Sequence, residues 1–383
     1  MQLPTVGGRL AILDALRGIA IALVVWYHLW LVTGFSLPGF GIFDVFARGG
    51  FLGVDLFFFV SGFCIGFPYA RRRAEGKPVP TLREFARKRA LKILPSYALA
   101  LVVFGFLFRA RFAGPFDEVR QFVAHLTFVH VFSSTTFGSF SGPLWTLGVE
   151  VQFYVVFALF AGFVSRRPIS AYALTVAFAV TYRFAISRAG LDTDFGWINQ
   201  LPAVLDVFGA GVLGAFGFVA LEGRARPVDE RGATALALIG ASLAIVGFVA
   251  ADLAAKAGGD DGVRRWLDLW RFAFGPVLLA TTLGLLASPL AVRRLAAPAA
   301  LAWLSGVSYN AYLWNLEIVV GLRATGLPPG VVFCLAAALT LAVGALITYG
   351  FERPIVRGMW PDYRFSAVAS AASKSTGFSI HGQ

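Results

Sequence analysis

Apolar residues run along this chain in blocks of about 18 to 23, divided by short stretches that gather its charged residues, prolines and many of its glycines. No block alternates apolar and polar positions with the period of two that a half-buried strand shows. Blocks of that length cross a hydrocarbon core of roughly 30 Å as helices, whereas the strands of a membrane barrel need about ten alternating residues. The pattern predicts ten spans, at 10–33, 51–69, 91–108, 147–164, 169–187, 202–221, 233–251, 272–289, 299–320 and 328–350. An all-α polytopic membrane protein follows, with one transmembrane domain over 1–365. The Ser-, Ala- and Gly-rich stretch 366–383 reads as a disordered cytoplasmic tail.

Composition supports this. Of the 383 residues 58% are hydrophobic and 14% charged, against about 25% charged in soluble domains, so a water-soluble enzyme is excluded. The net charge of +12 would suit a nucleic-acid binder were the cations clustered on one soluble face, but they lie in the segments between spans. With loops assigned alternately, the side that holds the N-terminus carries 21 of the 33 Lys and Arg and the other side 10, with Arg17 and Arg183 inside spans. The positive-inside rule then puts both termini in the cytoplasm of a cell that carries the protein in its inner or plasma membrane, with the bilayer and no nucleic acid as partner. The first block holds Asp14 and Arg17 and runs past His28 without a small-residue cleavage site, so it reads as a retained helix. Cys64 and Cys334 both lie in apolar blocks, so neither a disulfide framework nor a thiolate metal site is expected. The long segment 109–146 falls on the outer side, and its apolar piece "QFVAHLTFVHVF" is too short to cross and reads as interfacial or re-entrant.

A charge at mid-bilayer costs about 2.5–3.5 kcal/mol on insertion scales, so each ionisable residue in a span needs a partner or a purpose. Asp14, Arg17, His28, Asp55, Glu150, Arg183, Asp206 and Glu317 are such residues, and His28, Asp55, Glu150, Asp206 and Glu317 fall toward the outer leaflet. Arg17 and His28 are eleven residues apart, which brings them to within about 20° of one helix face and roughly 16 Å apart along it. Asp14, three residues before Arg17, can neutralise it on that face. His28 can take and return a proton near neutral pH, with Asp55 or Glu150 to fix its tautomer. His125 and His130 are five apart, wrong for a metal pair on one helix face, and read as interfacial. "GAGVLGAFG", 209–217, reads as a small-residue packing face.

Taken in order, "LAILDALRGIAIALVVWYH" (10–28), "FLGVDLFFFVSGF" (51–63), "REFARKRALKILPSY" (83–97), "GPLWTLGVEVQFYVVFALF" (142–160), "SYNAYLWN" (308–315) and "FERP" (351–354) resemble the blocks of the acyltransferase-3 family of integral-membrane acyltransferases. The resemblance implies ten membrane helices that move an acyl group, most often acetyl, from acyl-CoA to a hydroxyl of a carbohydrate or glycolipid acceptor, without a metal. It places the family's Arg-x10-His element on Arg17 and His28, its membrane-embedded Glu on Glu150, and its Asp…Ser-Gly block on Asp55, Ser61 and Gly62. Asn315 stands where many relatives carry a histidine. On this reading His28, Glu150 and Asp55 are catalytic. Arg17, Asp14, Ser61, Arg87, Arg89 and Lys92 meet the acyl donor, the Arg side chains offering bidentate contacts to its phosphates. Trp145, Tyr154, Tyr312 and Asn315 meet the substrate, and donors among Trp145, Ser61, Tyr154 and Asn315 would face the oxyanion. The competing class, a transporter or flippase of a glycan or glycolipid, predicts inverted repeats and helices broken by paired Gly or Pro, and the sequence has neither.

Overall fold

A computed structural model describes residues 5, 6, 9–36, 41–223 and 229–360; the expected tail at 366–383 lies outside them. After a two-residue antiparallel pairing of Thr5–Val6 with Arg9–Leu10, the described chain is helical. The helices are α1 Ala11–Thr33, α2 Gly41–Arg48, α3 Leu52–Ala74, α4 Leu82–Leu107, α5 Pro115–Leu126, α6 Trp145–Arg166, α7 Pro168–Arg188, α8 Phe195–Ile198, α9 Leu201–Glu222, α10 Glu230–Ala287, α11 Leu290–Ala296, α12 Ala299–Arg323, α13 Pro329–Ile347 and α14 Arg353–Met359.

Ten spans can be traced among them. Eight helices are long and apolar enough to cross a membrane, and α11 with α12, bent by 49°, makes a ninth. The tenth comes from α10, whose 58 residues would stretch about 87 Å if straight. Gly258 and Gly259 leave helical geometry, Gly259 at φ +58°, where a side chain would be strained. The two arms then fold back on each other: Gly240 lies against Thr281, Gly247 against the Trp270 ring, and Gly284 against Ala233 and Ala237. They coincide with the spans expected at 233–251 and 272–289. The region between these, read as an outer loop, is instead mostly helical beyond the expected membrane boundary.

The centre of the bundle is the pairing of α3 with α9. A side chain at Gly62 would overlap the Phe208 carbonyl, and one at Gly211 the Phe59 carbonyl. The backbones therefore approach as closely as small residues permit, and the "GAGVLGAFG" stretch is a packing face. α1 lies between α3 and α12, with Gly18 against the Leu301 backbone. Ends that bear the basic loops gather on one face of the bundle, where Arg71 pairs with Glu222 at 2.6 Å and Arg73 donates to the Ser165 carbonyl.

On the opposite face, α5 and the turns that lead to α6 form a cap. His125 and His130 sit inside it rather than at an interface, fully buried and stacked with ring centroids 4.1 Å apart. His125 Nδ1 lies 2.9 Å from the Gln121 carbonyl and His130 Nε2 3.2 Å from that of Leu144. Burial holds both imidazoles well below their ordinary 6.5, His125 at about 3, with the His130 ring adding to the effect, and His130 at about 4.

Candidate active site

A cavity of about 130 Å3 opens between α1, α3, α4, α6 and α12. Arg17, Arg89 and Lys92 bring three cations to its wall, Ser61, Glu150 and Tyr154 a hydrogen-bonded cluster, and Tyr309 and Tyr312 aromatic surface. Glu150 and Tyr154 are one turn apart on α6. The Tyr154 hydroxyl donates to Glu150 Oε1 at 2.6 Å, and Ser61 Oγ reaches across from α3 to the same oxygen at 2.5 Å. The Ser61 and Tyr154 protons are thereby committed to a carboxylate.

Arg89 stacks over the rings of Tyr154 and Phe85, 5.4 and 5.6 Å to the centroids, and it has no ion pair among the described residues. Lys92 Nζ lies 3.0 Å from Glu352 Oε1. Glu352 is buried at the end of a π-helical stretch, Thr348–Glu352. Its other oxygen accepts from Asn310 Nδ2 at 2.7 Å and Ser96 Oγ at 3.3 Å. A π turn places its side chains off the ordinary helical phase, and such turns recur at functional sites.

His28 stands two hydrogen bonds beyond the wall. Its Nδ1 is 2.5 Å from Asn315 Oδ1, while Asn315 Nδ2 donates to the Tyr312 carbonyl at 2.7 Å. Because the amide nitrogen is occupied by a carbonyl, the amide oxygen faces the ring. Nδ1 must then carry the proton, which leaves Nε2 as the basic nitrogen. Tyr312 in turn donates to the Pro143 carbonyl at 3.1 Å and meets Thr146 Oγ1 at 3.0 Å.

Several expected residues lie elsewhere. Neither Asp55 nor Glu150 hydrogen-bonds His28; Asn315 does, and its own amide donor goes to the Tyr312 carbonyl. Asp55 is not in the cavity wall. Its carboxylate is ion-paired with Arg271 at 3.1 Å, both side chains nearly inaccessible, and Arg271 also donates to the Ile198 carbonyl and to Asn199 Oδ1 at 2.8 Å. Beside it Arg183 and Asp206 pair at 2.7 Å. Asp14 accepts from Ser305 Oγ of α12 at 3.1 Å. Arg87 is exposed, donates to the Met359 carbonyl at 3.1 Å and lies over Trp360. Trp145 is buried among Phe58, Phe137 and Phe195. Glu317 pairs with Arg111 at 3.1 Å. Among the described residues no group of three His, Cys, Asp or Glu has the arrangement of a metal site.

Comparison with known proteins gives the family. The family described as an acyltransferase domain matches residues 10–349. The chain belongs to that acyltransferase family. It is 28% identical to the exopolysaccharide production protein ExoZ of Rhizobium meliloti (strain 1021), over 80% of this chain and 90% of the relative. It is also 28% identical to the peptidoglycan O-acetyltransferase OatA of Listeria monocytogenes, and 30% identical to the putative membrane-bound transacylase BcsY of Komagataeibacter xylinus. Each of these likenesses covers 39% of this chain, and respectively 23% and 36% of the relative. No solved structure matches. The protein is thus a multi-pass membrane acyltransferase of the O-acetyltransferase type.

Two buried residues of the acyltransferase, Arg271 and Glu352, leave little signal in the sequence. Arg271 sits in a stretch whose hydropathy resembles a loop, and nothing local links it to Asp55, 216 residues away. Glu352 lies inside the quoted "FERP" block, where a carboxylate next to an arginine in a closing segment was the available signal.

Proposed function

We propose that this acyltransferase moves an acetyl group from acetyl-CoA to a hydroxyl of an envelope polysaccharide or its glycolipid precursor, with His28 as general base. His28 Nε2 takes the hydroxyl proton as the oxygen attacks the thioester carbonyl. The C–O bond forms, the C–S bond breaks, and the proton passes to the departing CoA thiolate. Asn315 holds the ring in the required tautomer, and the Glu150 carboxylate, held by Ser61 and Tyr154, stabilises the positive charge that builds on the imidazole. Arg17, Arg89 and Lys92 meet the donor's phosphates on the side of the basic loops, which is the cytoplasmic side by the positive-inside rule, along with both termini. The polysaccharide acceptor is supported by the ExoZ and OatA likenesses.

The observation that carries this reading is the His28–Asn315–Tyr312 hydrogen-bonded chain, which ends on a cavity lined by three cations. His28→Ala, at wild-type expression in membranes, is expected to lower acetyl transfer from radiolabelled acetyl-CoA to the host's surface polysaccharide by about 10²–10⁴-fold. Unchanged transfer would overturn the base assignment.

A further inference from the structure

A second, apolar hollow adjoins the polar cavity. It is a groove of about 250 Å3 between Ala86, Ala90 and Leu94 of α4 and Val151, Val155 and Ala158 of α6, with Phe128 at its edge. Arg89, Ile93 and Tyr154 line the groove and the polar cavity alike, so the two meet side by side. α4 meets α6 here chiefly through Phe85 and Arg89, which lie against Tyr154 and Phe157. Val155 is 56% and Leu94 43% exposed, so the groove faces outward, where a spanning helix meets lipid. The larger groove between α6, α7 and α9, about 530 Å3, shares no lining residue with the polar cavity.

The geometry points to a lateral portal: the α4–α6 groove seats the apolar chain of a lipid-borne glycan acceptor whose sugar enters the polar cavity from the bilayer. The donor gives no use for the groove, because an acetyl group has two carbons and the groove is about 250 Å3. Donor phosphates and nucleotide require cations and water, and the groove offers Arg89 alone among apolar side chains. An acceptor on an alkyl or polyprenyl chain needs the reverse, an apolar seat open to lipid and adjoining the polar cavity. This deepens the proposed function and rests on it for the sugar's position.

The test is photolabelling of the full chain in lipid nanodiscs with two diazirine-bearing probes, dodecyl glucoside and phosphatidylcholine. The dodecyl glucoside probe is expected to label segments 82–94 and 151–158 in preference to the rest of the lipid-facing surface, and the phosphatidylcholine probe to label that surface evenly. Ala90→Phe with Val155→Trp, or the milder Ala90→Leu, is expected to cut the focused labelling at least about fourfold, the factor for one methylene's burial. Val102→Trp, on an exposed position outside the groove, leaves it unchanged. Even labelling by both probes, or focused labelling that the filled variants do not reduce, overturns the portal. Displacement by octanoyl-CoA and not by unlabelled dodecyl glucoside overturns it in favour of a donor chain. His28→Ala keeps the labelling, so a failed portal and a failed base assignment give different results.

Discussion

On the proposed reaction, the role of His28 turns on a single atom of Asn315. With its amide nitrogen spent on the Tyr312 carbonyl, only its oxygen can face the imidazole. Asn315→Leu removes that acceptor and lets the ring adopt either tautomer. Acetyl transfer in membranes is expected to drop in kcat by about 10- to 100-fold, the usual cost of losing an orienting partner, with KM for acetyl-CoA unchanged. A changed KM with unchanged kcat would contradict the role. Arg17, Ser61, Arg89, Lys92, Glu150, Tyr154 and Tyr312 were legible because each is a polar or aromatic group set in a recognisable block, and all line one cavity. Asp55 was not, since its block looks the same whether its carboxylate serves a base or an ion pair. The choice is made by Arg271, and sequence alone carries no register between helices that far apart. Asn315 itself was legible as a site residue, but which of its two atoms faces His28 depends on Tyr312 one turn earlier.

At the level of elements, hydropathy located the spans and misjudged what joins two of them. It measures how well a segment tolerates lipid, whereas helix formation continues wherever propensity and packing allow. The charged stretch 260–265 therefore read as loop although it is helical, and the turn is made by Gly258 and Gly259. The π turn that carries Glu352 left no periodic trace either, because one inserted residue is invisible against an apolar run. Glu352→Ala leaves Lys92, Ser96 and Asn310 without their shared acceptor. It is expected to cost about 3–5 kcal/mol, as removal of one member of a buried pair does, and to raise KM for acetyl-CoA as Lys92 loses its anchor. Thermal unfolding in detergent and initial rates would check both parts. At the α3–α9 crossing, Gly211→Ala forces the two backbones apart at Phe59, and a lowered unfolding temperature is the expected outcome.

For the whole molecule, the stacked His125 and His130 pair sets an acid limit. Both rings are neutral in the folded cap, with values near 3 and 4 against an ordinary 6.5. The unfolded chain therefore takes up protons first as pH falls. Stability is complete above about 6.5 and is lost below it, at about 1.4 kcal/mol per pH unit for each ring until the folded values are reached. Unfolding midpoints measured between pH 7 and pH 4 should fall steadily, and a flat profile would refute the assignment.

The buried Asp55–Arg271 pair also bears on how the chain is made. Arg183 and Asp206 lie on α7 and the next spanning helix, α9, so they can neutralise each other soon after both leave the ribosome. Asp55 must wait while 216 further residues are synthesised, carrying through that interval the insertion penalty of about 2.5–3.5 kcal/mol. The early half of the protein is thus provisional until the second arm of α10 arrives. Nascent chains halted before Arg271 are expected to be cleared by membrane proteases faster than chains halted just after it, and pulse-chase of the two lengths would show the difference.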